Sequence, residues 1–417
     1  MLFPVLSLVF LAGAIVLGFV RKMNVGIVSL ALAPILILTG GLKINLFFSG
    51  YPTKLFLTLL GTMLLFALLQ ENKTLELLSR KIVALVGKNT FLIPIIVYLT
   101  SYLLSAAGPG AISVQAVMIL FGVSLAVQMN TSPLLLAAMA LLGAVGGTTS
   151  PIALTGIIIK DLLDVKSIAG NPATVWIGVT LANFVCALVV YIFFKGYKLR
   201  SDMVLKLSDT EKFSKKQLLC LAGLITLAVT VVGFNQDVGI MSFMIAGALI
   251  ILGAVNETAA VKMIPWSVLI LICGINVLMT VTTQLGGIKL LSDVLAKMMN
   301  SFTAPFIMSM TGGVMSWFSS ANGVVLPTLV PAVPGIVENI GGSTGVIVLV
   351  TSITAGATVA GISPMSTGGS LTLAAYSQEK KINEKKQQKL FIQLFALSAA
   401  QVLIVSLVAL LGLYGIL

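Results

Sequence analysis

Apolar residues run along this chain in long blocks, separated by short polar segments instead of alternating with them. Runs near or above the roughly 18 residues that mark a membrane span recur from end to end. Ten spans are expected, at about 1–20, 24–40, 54–70, 133–162, 173–195, 217–234, 238–254, 266–284, 346–376 and 391–416. The apolar stretch 91–128 is too long for one crossing, and its middle reads Ser105-Ala106-Ala107-Gly108-Pro109-Gly110-Ala111, where a helix does not continue. It is expected to enter the membrane and turn back. A second such hairpin is expected over about 304–331, with its tip at Phe318-Ser319-Ser320-Ala321-Asn322-Gly323-Val324.

Two spans carry breaks of their own, Gly146-Gly147-Thr148-Thr149-Ser150-Pro151 within 133–162 and Val359-Ala360-Gly361-Ile362-Ser363-Pro364 within 346–376. Proline suits the first position of a helix, where its missing N–H is no loss. Each span is therefore expected to snap in two and restart at Pro151 or Pro364. Non-helical backbone is tolerated at membrane depth only where protein or a water-filled cavity satisfies it.

The breaks are paired. Sliding the chain by 213 residues lays Val25-Gly26-Ile27 with Ser29 on Val238-Gly239-Ile240 with Ser242. It also lays Gly61 on Gly274, Gly110 on Gly323, Gly143-Ala144 on Gly356-Ala357, Ser150-Pro151 on Ser363-Pro364 and Gly156 on Gly369. A period this long means a duplicated unit, not a solenoid. The expected units are an N-terminal repeat over 1–195, a linker over 196–216 and a C-terminal repeat over 217–417, each repeat with five spans and one re-entrant hairpin. An odd number of crossings turns the second repeat upside down relative to the first, the inverted arrangement that places a transporter's binding site at the midplane. The fold class expected is an all-α polytopic membrane protein.

Composition agrees: 58% of residues are hydrophobic and 9% charged, whereas soluble domains carry about a quarter. The net charge of +12 raises the possibility of a nucleic-acid partner, which the placement of the charges excludes. With the N-terminus outside, only Lys43, Lys54, Lys160, Lys166, Lys289 and Lys297 of the 25 basic residues face outward. The other nineteen fall in cytoplasmic loops, which is the positive-inside pattern. Both termini are then outside an inner (plasma) membrane. The charged loop at 376–390 is a solvated face, with contact to anionic lipid as the lesser reading. Cys186, Cys220 and Cys273 all lie in spans without CxxC spacing and read as buried apolar residues. Trp317 borders the second tip and reads as core packing.

The expected chemistry follows from the breaks. A restarting half-helix aims its unpaired N–H groups and positive dipole end at the break, which suits a carboxylate. Exposed carbonyls and hydroxyls there suit a small cation such as Na⁺. The thirteen acidic residues fall in loops or at span ends, and there is no histidine. No buried proton relay is left, so coupling to Na⁺ through neutral oxygens is the simpler expectation. No Ser/His pair, Asp pair or HExxH arrangement offers an enzyme its catalytic residues, and no cofactor is expected.

The tips and breaks SAAGPGA, GGTTSPIALTG, SSANGVVLP and GISPMSTGG are similar to those of the ion transporter superfamily. Within it the chain resembles the malonate/dicarboxylate carrier group, related to the divalent anion:sodium symporters. The resemblance implies a scaffold that forms a homodimer and a transport domain of hairpins and broken helices that moves as an elevator. It also implies a dicarboxylate held between the tips and flanked by two Na⁺ sites. The symporters carry Ser-Asn-Thr at each tip; here the second tip keeps Asn322, and the first, Gly108-Pro109-Gly110, has no asparagine. Around the substrate this places Gly108, Pro109, Gly110, Thr149, Ser150, Pro151, Asn322, Gly323, Ser363 and Pro364. Around cations it places Ser105, Gly108, Thr148, Thr149, Ser319, Ser320, Asn322, Gly361 and Ile362. The leading expectation is Na⁺-coupled transport of a C3–C4 dicarboxylate such as malonate, malate or succinate. A proton-coupled or exchange carrier of another organic anion, and an anion channel, remain as alternatives.

Overall fold

The computed structural model describes residues 2–86, 89–108, 110–165, 168–200, 210–234, 236–341, 344–380 and 384–415. Among these every regular element is a helix, and each of the ten expected spans is helical. The polar residues at their starts explain the boundaries. Asn24 accepts from the Gly26 N–H at 2.9 Å, and Asp237, 213 residues on, accepts from the Ile240 N–H at 3.0 Å. Such side chains satisfy N–H groups that have no partner inside the helix. Ser214 and Gln217 cap each other's backbone where the linker ends and helix Lys215–Ala228 begins.

Seven helical runs among the described residues are long and apolar enough to cross a membrane: Asn45–Glu71, Gly110–Gln128, Pro172–Phe193, Trp266–Gln284, Ala321–Ile340, Val346–Tyr376 and Lys386–Leu410. Others are apolar but short. Val25–Thr39 has 15 residues, about 22 Å at 1.5 Å per residue against a hydrocarbon core of about 30 Å.

The helices form two groups. In one, Val25–Thr39 packs on Trp266–Gln284, and Thr53–Glu71 packs on Val238–Ile251, with Leu2–Val20 and Lys215–Ala228 alongside. Glycines make these crossings close. A Cβ on Gly274 would lie 2.2 Å from the Gly26 carbonyl oxygen, and one on Gly61 would lie 2.6 Å from that of Gly239. The two contacts are reciprocal under the 213-residue offset: 26 meets 274 as 239 meets 61.

The other group holds both hairpins, both interrupted spans and the helices Pro172–Phe193 and Glu384–Leu410. Its centre is Pro133–Gly147, buried at every position from Leu134 to Gly147, and Val346–Val359, buried from Leu349 to Val359. Helices apolar on all sides belong in such an interior. Trp317 packs here as expected, its ring centroid 5.1 Å from that of Phe395 and its indole N–H donating to Ser398 Oγ at 2.9 Å. The three cysteines are buried and free.

The first hairpin has arms Ile93–Ala106 and Gly110–Gln128, as its sequence predicts. The second differs. Its first arm is Ala304–Phe318, but the second runs as helix to Ile340, past the expected end near 331. Pro327, Pro331 and Pro334 explain the extension. Each stands in the first turn of a fresh helical piece, at Leu326–Leu329, Val330–Ala332 and Val333–Ile340. There a fixed φ is compatible with helix, so the prolines segment the arm without ending it. Glu338, seven residues past that expected end, therefore lies within helix.

Candidate functional site

The two breaks are built alike. Pro133–Gly147 ends at Thr148, and the chain makes a tight turn in which the Ala153 N–H donates to the Ser150 carbonyl at 3.0 Å. In the other, the Ser366 N–H donates to the Ser363 carbonyl at 2.9 Å. Pro151 and Pro364 hold the second position of these turns, where proline's φ is already correct. The helices consequently restart at Leu154 and Thr367, three residues beyond the prolines expected to begin them. Each restarting helix then folds back over its own turn. A Cβ on Gly156 would lie 1.9 Å from the Ser150 oxygen, and one on Gly369 would lie 2.1 Å from the Ser363 oxygen.

The first hairpin is tied to the first break. Ser150 Oγ donates to the Ala106 carbonyl at 2.6 Å, and Ser105 Oγ donates to the Ala144 carbonyl, also at 2.6 Å. Gly108 and Gly110 take φ values of +137° and +69°, which side-chain-bearing residues rarely adopt. Gly108 lies against the Phe66 ring, and Gly110 against Leu154 and the Thr148 hydroxyl. Pro109 lies outside the described residues.

The second hairpin crosses over to the same break. Thr155 Oγ1 donates to Asn322 Oδ1 at 3.0 Å and pairs with Thr148 Oγ1 at 3.1 Å. Thr148, Thr155 and Asn322 thus align three neutral oxygens between the first break and the second tip. No group of three or more His, Cys, Asp or Glu suited to a metal is present among the described residues. Gly323, beside Asn322, abuts Leu271.

Several expected cation ligands have other partners. Ser320 Oγ accepts from the Gly323 N–H at 3.1 Å, and its carbonyl accepts from Val324 and Val325, so it caps the second arm. Ser319 Oγ donates within its own helix to Met315 at 2.7 Å, and Thr149 Oγ1 donates to the Gly146 carbonyl at 3.0 Å. The Gly361 carbonyl accepts from Ser366 Oγ at 2.6 Å, with Ile362 and Ser363 buried beside it. The structure therefore joins Ser105, Thr148, Ser150, Gly110 and Asn322 through direct contacts, whereas Gly361, Ile362, Ser363 and Pro364 form the second break. Two residues the sequence reading missed belong to the assembly. Thr155 falls in the first turn of a restarting helix, seven residues after Thr148. Gln115 lies on the second arm of the first hairpin, with Oε1 3.4 Å from the Cβ position at Gly368. A glutamine in the first half of an apolar helix was the available signal for it.

Residues 1–148 match the family described as dicarboxylate carrier protein MatC N-terminus. No curated protein matches the chain. Among solved structures, the chain is similar to the Alcanivorax borkumensis YdaH transporter, with a TM-score of 0.59 and 14% identity over 89% of this chain and 86% of that one. It is equally similar to Neisseria gonorrhoeae MtrF, described among antimetabolite efflux pumps, with a TM-score of 0.59 and 15% identity over 89% of this chain and 83% of that one. At such identity the likeness is one of fold. The matched family and both structural relatives are transporters, not enzymes, and the chain is a multi-pass membrane protein on a transporter fold.

Proposed function

We propose that this chain is a secondary transporter of a small organic dianion, a C3–C4 dicarboxylate such as malonate, malate or succinate, coupled to Na⁺. The observation that carries the reading is the meeting of both hairpins at interrupted helices inside the membrane body, with no charged side chain among the tip and break residues. The anion is held by backbone N–H groups and amides, and the row of Thr148, Thr155 and Asn322 oxygens suits a weakly coordinating cation. The match of residues 1–148 to a dicarboxylate carrier family supports the substrate class.

The two halves are read as inverted repeats. Their reciprocal glycine contacts are what a two-fold relation requires, and five crossings per half set that axis in the membrane plane. The glycine-locked group serves as the frame and the hairpin group as the moving part of an elevator, with the frame available for dimerisation. The protein sits in the plasma membrane with both termini outside.

The test is uptake of labelled malonate and succinate into proteoliposomes under an imposed Na⁺ gradient, a proton gradient or none. Saturable uptake that follows Na⁺ is the expected result. Uptake that follows only the proton gradient refutes the coupling, and non-saturating flux refutes the carrier in favour of a channel.

A further inference from the structure

The helix starts that meet inside this protein do not treat their N–H groups alike. At Leu154–Val165 the Thr148 carbonyl accepts from the Thr155 and Gly156 N–H groups at 3.0 and 3.1 Å, and the Ile157 N–H reaches the Ala153 carbonyl at 2.9 Å. On the second hairpin, Ser320 caps Gly323, Val324 and Val325. Thr367–Lys380 is different. Its first bond to the preceding turn runs from the Ser370 N–H to the Ser366 carbonyl at 3.0 Å. Among the described residues nothing accepts from the N–H groups of Thr367, Gly368 or Gly369. Gly368 and Gly369 are buried, and buried backbone N–H groups are rarely left without a partner.

A second observation points to the same place. Gln115 is 5% exposed, and its carboxamide makes no hydrogen bond among the described residues. Its Oε1 lies 3.4 Å from the Cβ position at Gly368, so the side chain is aimed at this open helix start. The positive end of the helix repels a cation and favours an anion. A half-turn of the Gln115 carboxamide about its last bond presents Nε2–H to that anion in place of Oε1. Next to the buried Gly368 and Gly369 in sequence, Met365, Thr367 and Ser370 are exposed.

We propose that Gln115 and the free N–H groups of Thr367, Gly368 and Gly369 form a carboxylate subsite that holds one end of the transported dianion. The related helix start at Leu154, closed by Thr148, holds none. The two breaks share a sequence pattern but divide the work: the second takes the anion, while the first is joined to Asn322 through neutral oxygens. This assignment rests on the transport reading above.

The test compares wild type with Q115L and Q115E in proteoliposomes, reading KM and Vmax for labelled succinate. Leucine keeps the bulk and loses the donor, so KM should rise at least about tenfold while Vmax stays within about twofold, as loss of a charge-assisted hydrogen bond implies. Glutamate keeps the shape but sets a negative charge against the anion, and saturable uptake should disappear. Q115N, one methylene shorter, serves if Q115L does not fold, and is expected to raise KM by a smaller factor. KM values within twofold of wild type in the folded variants overturn the subsite while leaving the transporter standing. Absence of saturable wild-type uptake of either acid overturns the transport reading, and the subsite with it.

Discussion

The bond between Thr155 and Asn322 is where one half of the chain grips the binding region of the other, and its strength can be bounded from the geometry. Thr155 Oγ1 donates to Asn322 Oδ1 at 3.0 Å and also pairs with Thr148 Oγ1 at 3.1 Å. Asn322→Ala removes the acceptor but leaves the Thr155 hydroxyl with a second partner, so no buried group is orphaned and the fold should survive. Hydrogen bonds between membrane helices are worth about 0.6 kcal/mol on average and about 1.7 at most. At about 1.4 kcal/mol per factor of ten, that is a coupling of about threefold to about twentyfold. The assay is a double-mutant cycle on KM for succinate, using Thr155→Val, Asn322→Ala and the pair together. Each single variant should raise KM, and the double variant should fall short of the product of the two effects by a factor in that range. Effects that multiply without any shortfall would refute the coupling of tip to break.

Three further outcomes follow. Gly274→Val sets a branched side chain where even a Cβ would lie 2.2 Å from the Gly26 carbonyl, and backbone cannot yield as a flexible side chain can. Its purified yield as a monodisperse species should fall sharply, measured by size-exclusion chromatography, and an unchanged profile would contradict the crossing. Ser150→Ala removes the 2.6 Å partner of the half-buried Ala106 carbonyl; a loss of about 1 kcal/mol, the net worth of a typical hydrogen bond, is expected, seen as a lower melting temperature in detergent. Cys186, Cys220 and Cys273 are 0%, 0% and 2% exposed, so a maleimide should label the folded protein slowly and all three thiols after denaturation, as mass spectrometry would show.

The helices, the hairpins and the two breaks were legible because membrane spans are written in long apolar runs and their interruptions in Gly, Pro and Ser. The paired register was legible for the same reason. Finer points depended on contacts that composition does not record. Pro151 and Pro364 fit a helix start and a turn equally well, and the turn won because Gly156 and Gly369 let each new helix fold over the serine before it. Pro327, Pro331 and Pro334 had the opposite fate, since each falls at a local helix start and the arm continues through them. Ser320 and Thr148 have the right chemistry for cation ligands, but composition does not record that the Ser320 hydroxyl caps the second arm while the Thr148 carbonyl caps Leu154–Val165 and leaves its hydroxyl to Thr155. The open start at Thr367 was invisible from sequence, because whether an N–H group is capped depends on where a distant carbonyl falls.

The reciprocal glycine crossings carry a consequence for origins. A chain of half this length, holding one copy of each glycine, already possesses both faces of the seam, and a second copy laid against it would close the same contact twice. Such a molecule assembles only as fast as two copies meet. Tethering the copies makes the encounter intramolecular, at an effective concentration in the millimolar range for a short flexible connection. Once tethered, the copies no longer need to remain identical, and an open helix start in one can coexist with a sealed one in the other.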